Sequence, residues 1–232
     1  MNAHQLRVLL DDALTTLEAS RDELRDLDAA IGDGDLGITV SGGAFAVRES
    51  VRQLDPDADL ALVLRTAAKS FAAANPSTMS ALVAGALLAG ARQVADQPDL
   101  DRETATAVLE AAIGAIQSRG GAQLGDKTIV DALVPSLEAL RRAGPDTREA
   151  LGEMADAARL AVADTASLQS QRGRAAWVGE RTVGHADGGA TAYLRLLEAF
   201  LRALPAESRP RAPGAGSPLT EESAPIPIQK YR

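Results

Sequence analysis

The chain has 232 residues, no cysteine, 3% aromatics and a net charge of −8. Such a length buries a substantial core in one domain, with or without a tail. Lack of cysteine excludes disulfides, thiol catalysis and Cys-based zinc sites and fits a reducing cytoplasm, while the acidic balance argues against nucleic acid. A local phosphate site stays open. The opening MNAHQLRVLLDDALTTLEAS lacks the basic n-region and continuous apolar core of a signal peptide. No apolar run reaches the roughly 18 residues needed to span a bilayer, so a cytoplasmic protein with no membrane partner is expected.

Leu6, Leu9, Leu10, Leu14, Leu17 and Leu24 recur at helical spacing and predict a first amphipathic helix with Asp28 at its C-terminal end. Further helices are predicted over 38–53, 58–73, 77–95, 101–118, 128–142, 147–168 and 189–203. Turn chemistry separates them, as in Asp55-Pro56-Asp57, Asn75-Pro76-Ser77, Gln97-Pro98-Asp99, Gly120-Gly121 and Gly144-Pro145-Asp146. No stretch keeps strand alternation. The fold class is therefore all-α, an eight-helix antiparallel bundle or barrel packed ridge into groove. Few aromatics and many alanines imply close helix contacts. After Leu204 the sequence becomes rich in Pro, Ser, Gly and Ala. It divides into a domain over 1–204 and a disordered tail over 205–232.

Four stretches depart from amphipathic helix and plain turn. DAAIGDGDLGITVSGG, residues 28–43, holds Asp28, Asp33 and Asp35 among glycines. Two readings stand: the carboxylates converge on a hard divalent cation, or they make Asx-turns and cap the next helix. An EF-hand is excluded, because Ala44 occupies the position of the bidentate ligand. In NPSTM, Ser77 or Thr78 caps a small-residue helix whose free N–H groups suit a phosphate. In GGAQLGDKTIVDAL, Asp126 or Thr128 caps the next helix, Gly120 and Gly121 leave room for a flat ligand, and Lys127 reads as solvated. GRAAWVGERTVGHADGGATAY, residues 173–193, is a long glycine-rich connection in which Arg174 and Arg181 are candidate phosphate contacts. There His185 reads as a structural hydrogen-bonding group, and Trp177 either covers a base or anchors the loop. The sequence carries no Walker A loop, Rossmann fingerprint, protein-kinase signature or nucleophile elbow.

Over residues 28–192 the stretches DAAIGDGDLG, NPSTM, GDKTIVDAL and GRAAWVGERTVGHADGGATA resemble, in order, the marks of the nucleotide-binding L subunit of dihydroxyacetone kinase. That resemblance implies an eight-helix antiparallel barrel with the nucleotide at one end. It implies that Asp28, Asp33 and Asp35 hold two Mg²⁺ ions bridging the phosphates of ADP or ATP. By the same resemblance Leu36, Gly37, Ile38, Thr39, Ser77, Thr78, Gly120, Ile129, Arg174, Asp187, Gly188 and Gly189 line the nucleotide pocket. No side chain is implied as nucleophile or base. The ketose sits on a separate K subunit, as a hemiaminal with that protein's histidine, and a homodimer is expected. The phosphoryl donor is either exchangeable ATP or a bound ADP that a phosphotransferase-system protein rephosphorylates.

Three positions depart from the family pattern: Leu36 stands for its histidine, Asn75-Pro76-Ser77-Thr78 for Gly-Ala-Ser-Gly, and Gly188 for the proline of Asp-Pro-Gly. These changes suggest a loosened final loop and weaker nucleotide retention, hence exchangeable ATP. They also lend weight to an alternative, a non-catalytic nucleotide-binding regulatory or interaction protein of the same fold.

Overall fold

The computed structural model describes residues 1–205, and in it the leucine- and alanine-rich stretches fold into nine α-helices. They are α1 (Ala3–Glu18), α2 (Arg21–Ile31), α3 (Leu36–Arg52), α4 (Leu60–Ala74), α5 (Thr78–Gln93), α6 (Arg102–Gly120), α7 (Ile129–Arg142), α8 (Thr147–Thr165) and α9 (Gly188–Ala203). A 3₁₀ segment, Arg174–Thr182, lies in the connection from α8 to α9. Side chains of Asn2, Asp59, Ser77, Asp101, Thr128, Asp146 and Asp187 accept a backbone N–H at their helix starts. These short polar residues satisfy donors that the helix itself leaves orphaned.

The predicted first helix is two helices. Ala19 donates back to Thr16 and Leu17, which tightens the last turn of α1, and α2 sets off after Ser20. Periodicity did not reveal the break because Leu17 and Leu24 both enter the same core cluster.

Eight helices close a ring in the order α1, α3, α4, α5, α6, α7, α8, α9 and back to α1, each packed on the next. The eight-helix barrel is thus present, with α2 as an additional helix against α3 and α9. One core cluster, with Leu14, Leu24, Val40, Val47, Leu60 and Val63, is supplied by the first half of the chain. The other gathers Ile113, Val130, Leu133, Leu137, Met154 and Leu194. Glycine lets backbones meet where α2 crosses α3: a Cβ on Gly37 would collide with the main chain of Arg21 and Arg25.

Short connections make successive barrel helices alternate in direction. One end of the barrel therefore gathers the N-termini of α3, α5, α7 and α9 with the C-termini of α2, α4, α6 and α8. No helix among the described residues is long and apolar enough to cross a membrane. The expected tail over 205–232 lies, from residue 206 onward, outside the described residues.

Candidate functional site

Asp28 occupies the last turn of α2, and Asp33 and Asp35 follow in the short link to α3. Gly34, at φ 74°, takes the left-handed conformation that lets this link fold back. One carboxylate oxygen from each of Asp28, Asp33 and Asp35 lies within 4.8 Å of the others. Asp35 stands at the N-cap of α3, but its side chain makes no capping bond. Asp28 turns an oxygen to the Leu36 N–H at 3.3 Å. Asp33 has one side-chain partner among the described residues, Arg174. Of the two readings left open, the structure favours convergence over capping.

Arg174 reaches over from the 3₁₀ segment and ion-pairs with Asp33 and, at 3.3 Å, with Asp35. One guanidinium thus serves two of the three carboxylates, and none among the described residues pairs with Asp28. Partial burial, and then the neighbouring charge of Asp28, push the Asp35 carboxyl above its ordinary range. These hard oxygen donors, partly open to solvent and short of positive charge, fit a divalent cation such as Mg²⁺.

The other predicted residues have differing tasks. Ser77 caps α5 through the Ser80 N–H at 3.1 Å, with Thr78 as its first residue. Gly120 is the last residue of α6 and Ile129 the first of α7, beside Gly189. Asp187 caps α9 through the Ala190 N–H at 2.7 Å, and burial pushes its carboxyl up to about 6. Ile38 is half exposed on α3. Thr39 is buried and accepts from the Asn75 amide at 2.6 Å, so its hydroxyl fixes the turn into α5.

Several expectations change. Leu36 is a core residue, buried with Val40 and Leu24. A Cβ on Gly188 would come within 2.6 Å of its side chain. The two departures from the family pattern are therefore neighbours: the leucine fills space that a side chain at 188 would need. Gly188 does more than loosen a loop. Thr128, not Asp126, caps α7. Trp177 is 88% exposed and so does not anchor the loop among the described residues. The exposed His185 ring makes no hydrogen bond among the described residues, so it is no structural bridge.

Lys127, expected in solvent, is 1% exposed and donates to the carbonyl oxygens of Leu168, at 2.9 Å, and Thr182. Burial lowers its pKa, with the negative charge of Asp187 acting in the opposite sense. The residue also adopts φ 60°, uncommon outside glycine. Its acceptors lie far along the chain, and composition carries no sign of them.

The sequence profile described as the DAK2 domain matches residues 30–202. The ADP-binding subunit DhaL of PEP-dependent dihydroxyacetone kinase 1 from Listeria innocua is 33% identical over 193 residues, covering 83% of this chain and 92% of that protein. The L-erythrulose 1-kinase of Mycolicibacterium smegmatis is 37% identical over 184 residues, 77% of this chain but 32% of the kinase. The crystal structure of the dihydroxyacetone kinase from C. freundii in complex with AMP-PNP and Mg²⁺ superposes with a TM-score of 0.69 at 22% identity, over 88% of this chain and 34% of that one. That last likeness establishes a shared fold. The chain spans about a third of these two longer proteins.

Proposed function

The chain belongs to the DAK2 domain family, and on that premise we propose that it is the ADP/ATP- and Mg²⁺-binding subunit of a kinase for dihydroxyacetone or a related ketose. The observation that carries the reading is the convergence of Asp28, Asp33 and Asp35 under Arg174, at the barrel end where four helices begin. The proposal takes two Mg²⁺ ions on these aspartates, which neutralise phosphate charge when bound. The free N–H groups at the starts of α5 and α9 suit phosphate oxygens. With cations on the aspartates, Arg174, which pairs with Asp33 and Asp35, would supply a guanidinium for the same anion.

The cluster presents no histidine, serine or lysine positioned as nucleophile or base. Phosphoryl transfer through a loose transition state needs mainly alignment and charge neutralisation, so the chain orients the donor. A K-type subunit brings the sugar hydroxyl to it. The proposal includes a homodimer in the cytoplasm, with no nucleic-acid partner.

The chain covers 92% of two L. innocua relatives named PEP-dependent dihydroxyacetone kinase ADP-binding subunits. Together with the packed Leu36–Gly188 contact, this favours a second reading of the donor, a resident ADP rephosphorylated by a phosphotransferase-system protein. Stoichiometric ADP surviving extensive dialysis supports it, and ready exchange supports free ATP. The kinase reading itself is tested by transfer of labelled phosphate to dihydroxyacetone or erythrulose, with and without a K-type subunit. Transfer only with the subunit is expected. Failure in both cases, with Mg²⁺·ADP still bound, leaves the regulatory alternative.

A further inference from the structure

The connection from α8 to α9 carries Arg174 to the aspartates, yet its 3₁₀ segment packs on the rest of the molecule through few apolar residues: Trp177 is exposed and only Thr182 of the segment is buried. Polar contacts gather instead at the base of the connection, around the turn before α7. Lys127 joins its two limbs, bonding Leu168 on the outgoing limb and Thr182 on the returning one. Next to it, the Asp126 carbonyl accepts from the Gln171 N–H at 3.0 Å, and its carboxylate accepts from Arg172 Nε at 2.9 Å. The limbs are also tied to each other. Ser170 N–H donates to Thr182 Oγ1 at 3.0 Å, Gly184 N–H to Ala166 O at 2.8 Å, and Asp187 N–H to Thr165 Oγ1 at 2.9 Å.

We propose that Lys127 is a positioning residue: its ammonium clasps both limbs of the 166–187 connection and so sets Arg174 over the aspartate cluster. The physical case rests on what a neutral residue would leave behind. Lys127 forms no ion pair among the described residues, so its buried charge is balanced by two main-chain carbonyls and, at longer range, by Asp187. A buried ammonium is costly to keep. It returns a link that an apolar side chain lacks, because three rotatable donors on one atom can hold carbonyls from two separate limbs. Removing it leaves both carbonyls without that donor, and the limbs are then held to each other only by the Ser170–Thr182, Gly184–Ala166 and Asp187–Thr165 bonds. Arg174 lies between the two clasped points, six residues after Leu168 and eight before Thr182, so its reach depends on that separation.

This inference rests on the nucleotide-site reading for its effect on ligand affinity, but not for its effect on the loop. The test uses the full chain with the isosteric, uncharged Lys127→Met, with Arg174→Gln, and with both. Amide hydrogen exchange reports local opening directly. In Lys127→Met the amides of Ser170, Gln171 and Gly184 are expected to exchange faster, with the barrel helices unchanged. The Kd of Mg²⁺·ADP is expected to rise about ten-fold in Lys127→Met and to rise little further when Lys127→Met is added to Arg174→Gln, since residues acting through one another are not additive. Unchanged loop exchange overturns the proposal, as do faster exchange throughout the barrel and additive effects on Kd, which mark an ordinary core residue. If Lys127→Met does not fold, the shorter polar Lys127→Gln decides: it cannot hold both carbonyls, and unchanged exchange at Gln171 and Gly184 overturns the clasp. A wild-type chain that binds no Mg²⁺·ADP overturns the functional reading instead, and loop exchange still judges the clasp.

Discussion

Two charged regions stand at opposite ends of α3. At its C-terminal end, a cleft of about 360 Å³ is lined by His4, Arg7, Asp11, Asp12, Arg48 and Arg52 among others. There each arginine is matched. Arg52 takes Asp11 in a two-pronged pair at 2.6 and 2.9 Å, Arg48 pairs with Glu18 at 2.9 Å, and Arg7 donates to the carbonyls of Leu54 and Asp55. At the N-terminal end, roughly 25 Å away by the helical rise, Asp28, Asp33 and Asp35 converge, and a single arginine pairs with Asp33 and Asp35. The cleft pairs both Arg48 and Arg52 with carboxylates, whereas the aspartate cluster has one guanidinium for three carboxylates. Charge left over after internal pairing makes the aspartate cluster the candidate for a cation, and the cleft a surface network.

The sharpest way to break that contrast is to remove one charge at each end. Asp33→Asn is expected to abolish the stabilisation that Mg²⁺·ADP gives the wild-type chain, about 2.7 kcal/mol at a ligand concentration a hundred times its Kd. Thermal melting with and without the ligand reads this, and an equal shift in the mutant would undo the cation assignment.

A second probe concerns Asp187, beside the unbalanced end. Its folded-state pKa, raised to about 6 by burial, means that the folded chain holds a proton which the unfolded chain has lost. The associated stability is fully present below the unfolded value of about 3.9 and is lost as pH rises through about 6. Relative to wild type, Asp187→Asn, still a competent N-cap, should therefore gain about 2 kcal/mol between pH 4 and pH 7. Urea unfolding at the two pH values checks this, and parallel profiles would count against a buried carboxylate there.

Packing gives the third. Gly188→Ala drives a methyl into Leu36 and should cost about 1–3 kcal/mol. In a Leu36→Ala background that cost should largely vanish, as expected for directly touching residues. Additive costs would separate the two positions. The smallest effect belongs to the balanced cleft. Arg52→Gln removes a half-exposed pair and should change stability by less than about 1 kcal/mol. It should leave Mg²⁺·ADP binding untouched. An altered ligand affinity would mean that the two ends are coupled.

Much of the barrel was legible because its signals are local. Seven of the helices fall within a few residues of the spans that leucine and alanine spacing predicts, and Ser77, Thr128 and Asp187 cap helices as their residue types suggest. The family order of the motifs pointed to the aspartates. The break between α1 and α2 was not legible, since the leucine spacing runs on across it. Nor was the choice for Asp35 between capping a helix and facing Asp28, because both uses suit an aspartate before a helix.

By itself, then, the sequence determined the all-α class, the starts of the helices from α3 onward and the set of acidic, serine and glycine stretches from which the candidate site is built. Those properties depend on neighbours three or four residues apart. Only the tertiary structure decided that Leu36 packs against Gly188, that Arg174 lies on Asp33 and Asp35, and that Lys127 is buried on Leu168 and Thr182. Each of these joins parts of the chain that periodicity cannot relate, and the free energy of a buried charge or a close contact is set by what surrounds it.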